Sequence, residues 1–291
     1  MTERLDFLVA RDDLRRTEWR RTPEAPLAEG EARLTVERFA FTANNVTYAA
    51  FGERMRYWDF FPAPEGFGRV PVWGFATVSE SRAPGLEPGT RVYGYWPMST
   101  SLTVRPERVR AESFVDASPH RAELAAVYNS YLIAAKDPSW SPEREGALSI
   151  LRPLFMTSFV IEDFLSDNGL FGAGRVVLSS ASSKTSLGAA FCLKRAGVPT
   201  VGLTSEANAG FVRATGYYDR VVTYAEIRSL EIAPSVFVDM AGGASTRQAV
   251  HERLGEALTY SCAVGATQWE DVGGAPAPLP GPRPQLFFAP A

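Results

Sequence analysis

From Gly174 onward, short apolar runs alternate with amphipathic stretches at regular intervals, and no other pattern in the chain restricts the fold so tightly. Strands are expected over 176–178, 200–203, 220–223, 236–239, 258–264 and 285–288. Helices are expected over 186–195 and 207–214, between the first three strands, and over 246–254 after the fourth. Strands separated by helices pair in parallel, and right-handed crossovers then build a doubly wound sheet that takes ligands beyond the carboxyl ends of its strands. The Gly/Pro-rich stretch 273–284 is expected to be a loop.

The first 115 or so residues follow a period of two instead. Strands are expected over 32–42, 70–78, 91–95 and 101–104, with turns at Ala83-Pro84-Gly85 and Glu87-Pro88-Gly89, which describes a compact β barrel or sandwich. Helical spacing then appears over 120–135, opened by Pro119 and stopped by Lys136-Asp137-Pro138. A second helix is expected over 148–165, closed by Asn168-Gly169. The chain therefore divides into a β-rich domain with its linking helix, 1–135, and an α/β domain, 136–291.

Composition narrows the function. With 45% hydrophobic and 22% charged residues the 291-residue chain is globular, and a net charge of -3 offers no basic footprint for nucleic acid. The charged start, MTERLDFLVARDDLRRTEWRR, lacks the apolar centre of a secretory signal, and no apolar run reaches the length of about 18 residues that spans a membrane. A soluble cytoplasmic protein without a membrane partner is expected. Cys192 and Cys262 have no CxxC spacing and lie in apolar segments, so both read as small buried hydrophobes. His120 and His251 are the only histidines, and no spacing of carboxylates around them suggests a metal site.

The first strand-to-helix turn of the α/β half is the place for chemistry, because backbone N–H groups and a helix N-terminus hold phosphate there. The turn reads Ser179-Ser180-Ala181-Ser182-Ser183-Lys184-Thr185-Ser186-Leu187-Gly188, in which only the last glycine of a G-x-G-x-x-G/A pattern survives. Ser182, Ser183, Lys184 and Thr185 read either as a phosphate site or as a serine cap followed by a solvated lysine. A P-loop is excluded by Leu178 and Ser183 at its glycine positions. The second strand ends Thr204-Ser205, where small hydroxyl residues leave room for a 2′-phosphate and favour NADPH over NADH, although Glu206 pulls the other way.

The order of these halves resembles the medium-chain dehydrogenase/reductase (MDR) superfamily on its zinc-independent quinone/enoyl reductase side. The resemblance rests on Leu27-Ala28-Glu29-Gly30-Glu31-Ala32, Pro84-Gly85-Leu86-Glu87-Pro88-Gly89-Thr90-Arg91-Val92, Asp219-Arg220-Val221-Val222-Thr223-Tyr224 and Val238-Asp239-Met240-Ala241-Gly242-Gly243. More narrowly, Ser180-Ala181-Ser182-Ser183-Lys184-Thr185 and Arg152-Pro153-Leu154-Phe155-Met156-Thr157-Ser158-Phe159 resemble the bacterial branch called DUF2855. The resemblance implies a GroES-like β-barrel domain followed by a Rossmann domain, with hydride passing from NADPH to an enone, quinone or enoyl thioester. The alternative is a nucleotide-binding or interaction protein without catalysis on the same fold.

The resemblance also assigns residues. The nicotinamide is expected to face Asn44, Asn45 and Tyr48, where Tyr48 or Asn45 holds a substrate carbonyl; the competing reading makes Asn44 a helix cap and Tyr48 a packing residue. Tyr224 is expected at the adenosine phosphate or as a structural edge tyrosine, and Ala241 and Gly242 at a close backbone approach to the cofactor or in a tight strand-to-helix turn. Tyr57, Trp58, Phe60 and Phe61 line a substrate pocket or fill a core. Relatives place zinc-binding Cys and His where this chain has Thr42-Ala43-Asn44-Asn45, so no catalytic zinc is expected. They also place a lysine where it has Ala207 and Asn208, and they continue past the sixth strand, so their final segment is expected to be missing. A homodimer formed through the edge strand 285–288 is implied as well.

Overall fold

The apolar alternation of the first half folds as antiparallel sheet, because a chain with one buried face every second residue satisfies its backbone groups only by lateral pairing. A computed structural model describes residues 3–240, 243–264 and 279–287. Its internal contacts divide the chain between Arg152 and Pro153, so the junction expected after residue 135 falls within the first unit.

In the first unit β1 (Glu3–Ala10) and β2 (Thr17–Pro23) form a hairpin, which β4 (Phe67–Gly68) extends in the order β2-β1-β4. The remaining strands are β3 (Ala32–Ala40), β5 (Pro71–Ser81), β6 (Arg91–Pro97), β7 (Ser101–Val104), β8 (Pro106–Glu107), β9 (Ser113–Asp116) and β10 (Ser130–Ile133). They form one antiparallel sheet, β7-β3-β5-β6-β10-β9-β8, that curls into a nearly closed barrel. Its interior is filled by Leu34, Val72, Val78, Val92, Trp96, Phe114 and Tyr131. Gly94 is obligatory there, since a Cβ on it would stand 2.2 Å from the Tyr131 ring.

The helix expected over 120–135 does not form. The stretch holds short 3₁₀ turns at Pro119–Arg121 and Ala126–Asn129 and then β10, which pairs with β6 on one side and β9 on the other. Tyr131 explains the outcome: its ring stacks on Phe114 at 5.1 Å and its hydroxyl donates to the Tyr95 carbonyl at 2.8 Å. These partners lie far away in sequence, so local spacing loses to a ladder that only the folded sheet supplies. A single short helix, α1 (Ala43–Ala50), follows β3, and α2 (Glu145–Asp167) contains the helix expected over 148–165.

The second unit carries β11 (Arg175–Leu178), α3 (Lys184–Arg195), β12 (Thr200–Thr204), α4 (Glu206–Thr215), β13 (Arg220–Thr223), β14 (Ser235–Asp239), α5 (Ala244–Leu254), β15 (Leu258–Ala263) and β16 (Gln285–Leu286). All pair in parallel in the order β13-β12-β11-β14-β15-β16. This is a doubly wound sheet whose strand order reverses between β11 and β14, the position at which such sheets take their ligands. Val176, Val177, Val236, Phe237 and Val238 are fully buried, as expected of strands covered on both faces. Phe288 and the first part of the expected loop, 273–278, lie outside the described residues. Among the described residues no helix is long and apolar enough to cross a membrane.

Candidate functional site

At the carboxyl end of β11 the chain turns sharply, with Ser180 at φ 48°, a left-handed conformation that is uncommon for a residue bearing a side chain. Tyr224, just past β13, accepts a hydrogen bond from the Ser180 N–H at 3.1 Å and so braces the turn. Ala181 donates its N–H to the Leu203 carbonyl at 2.9 Å, which ties the same turn to β12. Asn208 in the first turn of α4 donates to Ser182 Oγ at 3.1 Å. Thus Ser182, Thr204, Ser205 and Tyr224, four residues singled out from sequence, are gathered on one rim.

Ser183 caps α3, accepting from the Ser186 N–H at 3.2 Å. The cap reading is therefore realised for Ser183, and it leaves the N–H groups of Lys184 and Thr185 without an intrahelical acceptor at the start of the helix. Lys184 is exposed and makes no hydrogen bond or ion pair among the described residues. A positive side chain above a positive helix terminus is held there at an electrostatic disadvantage that an anion removes. Thr204 is buried and Ser205 half-buried as the first residue before α4. Ala241 and Gly242 lie outside the described residues.

Across the strand-order reversal, Asp239 at the end of β14 accepts from Ser179 Oγ at 2.9 Å and from Arg247 Nη2 at 2.8 Å and Nε at 3.0 Å. Ser179 Oγ in turn accepts from the Met240 N–H at 2.8 Å. This network clamps β11 to β14 at their carboxyl ends. Neither Ser179 nor Arg247 was singled out from sequence; an acid ending a strand with an arginine eight residues later is the only trace they leave.

In the first unit, Thr42 rather than Asn44 caps α1, and Asn45 completes a capping box. The Asn45 amide is fully committed: its oxygen accepts from the Thr42 N–H at 2.6 Å and its nitrogen donates to the Pro71 carbonyl at 2.8 Å. Asn44 stays half-buried beside Tyr48. The Tyr48 hydroxyl accepts from Trp73 Nε1 at 3.1 Å, and burial pushes its proton affinity well above that of an ordinary phenol. Tyr57, Trp58, Phe60 and Phe61 are all at most 5% exposed, which places them in the core, although the Tyr57 ring touches Tyr48 edge-on. Sequence reading missed the partners that surround Tyr48, namely Trp73, Tyr93, Tyr95 and Tyr128. Tyr93 and Tyr95 alternate on β6, but which face of the sheet is covered by α1 has no signal in sequence.

Cys192 and Cys262 are free and buried, and burial raises the Cys262 thiol to about 12. His251 bridges Ser261 Oγ and the Pro280 carbonyl, a structural position. Among the described residues no group of His, Cys, Asp and Glu is arranged to hold a metal ion.

The family model described as "Protein of unknown function (DUF2855)" matches residues 39–291. No curated protein matches the sequence. Among solved structures, a mutant form of enoyl thioester reductase from Candida tropicalis is 12% identical with a TM-score of 0.59, over 100% of this chain and 83% of that one. The yhdH oxidoreductase from Salmonella enterica in complex with NADP is 18% identical with a TM-score of 0.51, over 91% and 75%. The quinone oxidoreductase from Coxiella burnetii is 13% identical with a TM-score of 0.52, over 91% and 75%. At such identities the likeness is one of fold, and the fold is that of the MDR reductases, a GroES-like barrel followed by a Rossmann sheet.

Proposed function

The chain belongs to the DUF2855 family, and we propose on that footing that it is a zinc-independent, NADPH-dependent reductase of an activated C=C or carbonyl group in a small molecule. The observation that carries this reading is the rim at the carboxyl end of the second unit's sheet. There Ser182, Thr204, Ser205 and Tyr224 converge beside an unpaired Lys184 and the strand-order reversal. A nicotinamide bound there supplies a hydride. The chain's own part is to bind and orient: Lys184 and the first-turn N–H groups of α3 hold phosphate, and the hydroxyls of Thr204 and Ser205 suit a 2′-phosphate better than a carboxylate would. Similar folds crystallised with NADP support the same cofactor class.

Tyr48 serves the substrate. Burial keeps its phenol protonated at physiological pH, and the Trp73 N–H on its oxygen strengthens it as a donor. It is therefore suited to hydrogen-bond an oxygen on which negative charge builds during hydride arrival. Asn44 is placed to assist, whereas the Asn45 amide, committed to Thr42 and Pro71, shapes the helix that presents Tyr48.

One observation favours a second reading, a nucleotide-binding or interaction protein without catalysis. Ser183 Oγ and the Ser180 N–H, both candidates for phosphate, already have internal partners. Titration with NADPH and NADH, followed by nicotinamide fluorescence, separates the outcomes. Micromolar NADPH binding with oxidation of the cofactor by an enone, quinone or enoyl thioester supports the reductase; binding without turnover supports the nucleotide-binding form of the second reading; no binding overturns the reductase and favours the interaction protein. We further assign a homodimer contact to β16, whose residues are exposed at the sheet edge.

A further inference from the structure

The first unit carries an open sheet edge. β2 borders the sheet β2-β1-β4, and its register against β1 runs without a bulge from Thr17 opposite Val9 to Pro23 opposite Glu3. Which of its backbone groups face outward follows from β1. The Phe7 N–H donates to the Met98 carbonyl at 2.9 Å, the Arg11 N–H to the Gly66 carbonyl at 3.0 Å, and the Leu5 carbonyl accepts from the Thr100 N–H at 3.0 Å. Odd-numbered residues of this strand therefore turn away from β2, and even-numbered ones bond to the β2 side, as the Ala10 N–H does to the Arg16 carbonyl at 2.9 Å. Because Phe7 stands opposite Trp19, it is Thr17, Trp19 and Arg21 that point their N–H and C=O groups out of the sheet. No other segment takes up these groups among the described residues. Pro23, which has no N–H to give, falls on the same outward side.

The side chains along this edge are self-complementary. Trp19 is 67% exposed and rests edge-on against Phe7 at 5.0 Å. Glu18 and Arg20 flank it on the opposite face and pair with each other at 2.5 Å. Edge strands are commonly blunted by bulges, by a covering segment or by charges that repel a second strand. Here the charges do the reverse. A second copy of β2, laid antiparallel with its two-fold axis at Trp19, sets Glu18 opposite Arg20 of the copy and Arg20 opposite its Glu18. With the pairs inside each strand, these close a ring of alternating charge. The same axis places Trp19 against its own copy and Thr17 against Arg21, so every outward N–H meets a carbonyl. Moving the axis to Glu18, Arg20 or Arg21 puts like charges directly opposite each other, and moving it to Thr17 or Thr22 carries most of the strand past the end of its copy.

We propose that β2 is a self-pairing edge, at which two copies of this chain join antiparallel with Trp19 on the axis. The contact is one strand wide, well below the area of a standard interface, and its dissociation constant is expected at about 100 μM. It is independent of the reductase reading, and it is separate from the β16 contact, which belongs to the other unit.

Sedimentation velocity on the full chain carrying Leu286→Lys, which removes the β16 contact, tests the pairing from about 5 to 500 μM. The sedimentation coefficient is expected to rise from monomer toward dimer across that range. Glu18→Arg and Arg20→Glu are each expected to weaken association at least about tenfold, because both cross-strand charge pairs turn repulsive. An equimolar mixture of the two is expected to associate again, since each strand then meets the opposite charge at both positions. Arg21→Pro deletes an outward N–H that β1 does not use, and is expected to abolish association while melting at the parent temperature. Should either charge variant fail to fold, Arg21→Pro decides. A chain that stays monomeric throughout, association unchanged in Arg21→Pro, or a mixture that associates no better than its folded components overturns the proposal. If the unaltered protein is itself monomeric at the lowest concentration, that counts against the β16 contact alone.

Discussion

At Gly188 the last surviving glycine of the phosphate-turn pattern has a packing role. A Cβ there would stand 2.5 Å from Ser158 Oγ and 2.9 Å from its Cβ, so α3 touches α2 through a missing side chain. Gly188→Ala is expected to destabilise the protein by about 1–3 kcal/mol, as overpacking does, read from urea unfolding. Lys184 stands at the opposite extreme, exposed and unpaired. Lys184→Ala is expected to leave the thermal midpoint where it is and to weaken NADPH binding about tenfold or more, the worth of a charged hydrogen bond; unchanged affinity would remove the lysine from the site. His251 gives a pH dependence. Burial lowers its proton affinity below the ordinary value of 6.5, so the unfolded chain takes up the proton first. Its contribution is therefore present above pH 6.5 and lost as the pH falls through the folded-state value. Melting curves from pH 7.5 down to 5 should show a falling midpoint that flattens in His251→Gln. These roles leave little mark in sequence, because a serine, a glycine or a histidine reads alike whether it caps, packs or binds.

At the level of elements, the parallel strands were legible because each is a short apolar run bounded by a turn, with helices between the first three and after the fourth. The hairpin of β1 and β2 was not: β2 exposes Trp19 and turns the charged Glu18 and Arg20 to its half-buried face, and Asp6, buried in β1, looks like a surface residue until Arg69 is seen to pair with it at 2.8 Å. The stretch around β10 was misread for the complementary reason, since its buried residues suit a helix as well as a strand and distant partners decide. Asp239 and Arg247 join β14 to α5, with Asp239 almost wholly buried. Arg247→Leu removes the cation that pairs with this buried carboxylate. A loss of about 3 kcal/mol is expected in urea unfolding, and a loss below about 1 kcal/mol would show that the acid's other partners sustain it.

For the whole molecule, the exposed edge of β16 predicts association. Static light scattering is expected to give twice the 31.8 kDa chain mass, and Leu286→Lys, which puts a charge on that edge, to give the monomer. A monomer for the unaltered protein would remove the contact. NADPH at a hundred times its dissociation constant is expected to add about 2.7 kcal/mol of stability, visible as a raised thermal midpoint. Periodicity alone determined the class of each half, antiparallel then parallel, and with it the end of the second sheet at which a cofactor belongs, because backbone hydrogen bonding leaves few ways to bury a given spacing of apolar residues. Only the tertiary structure decided which polar side chains are engaged: that Asn45 and Ser183 serve helix ends, that Tyr224 braces the phosphate turn, and that the buried Tyr93 and Tyr95 hydroxyls have no partner among the described residues. The physical reason is that a side chain's role depends on what faces it across a sheet or from a covering helix, and those neighbours are brought together by folding from segments that share no local pattern.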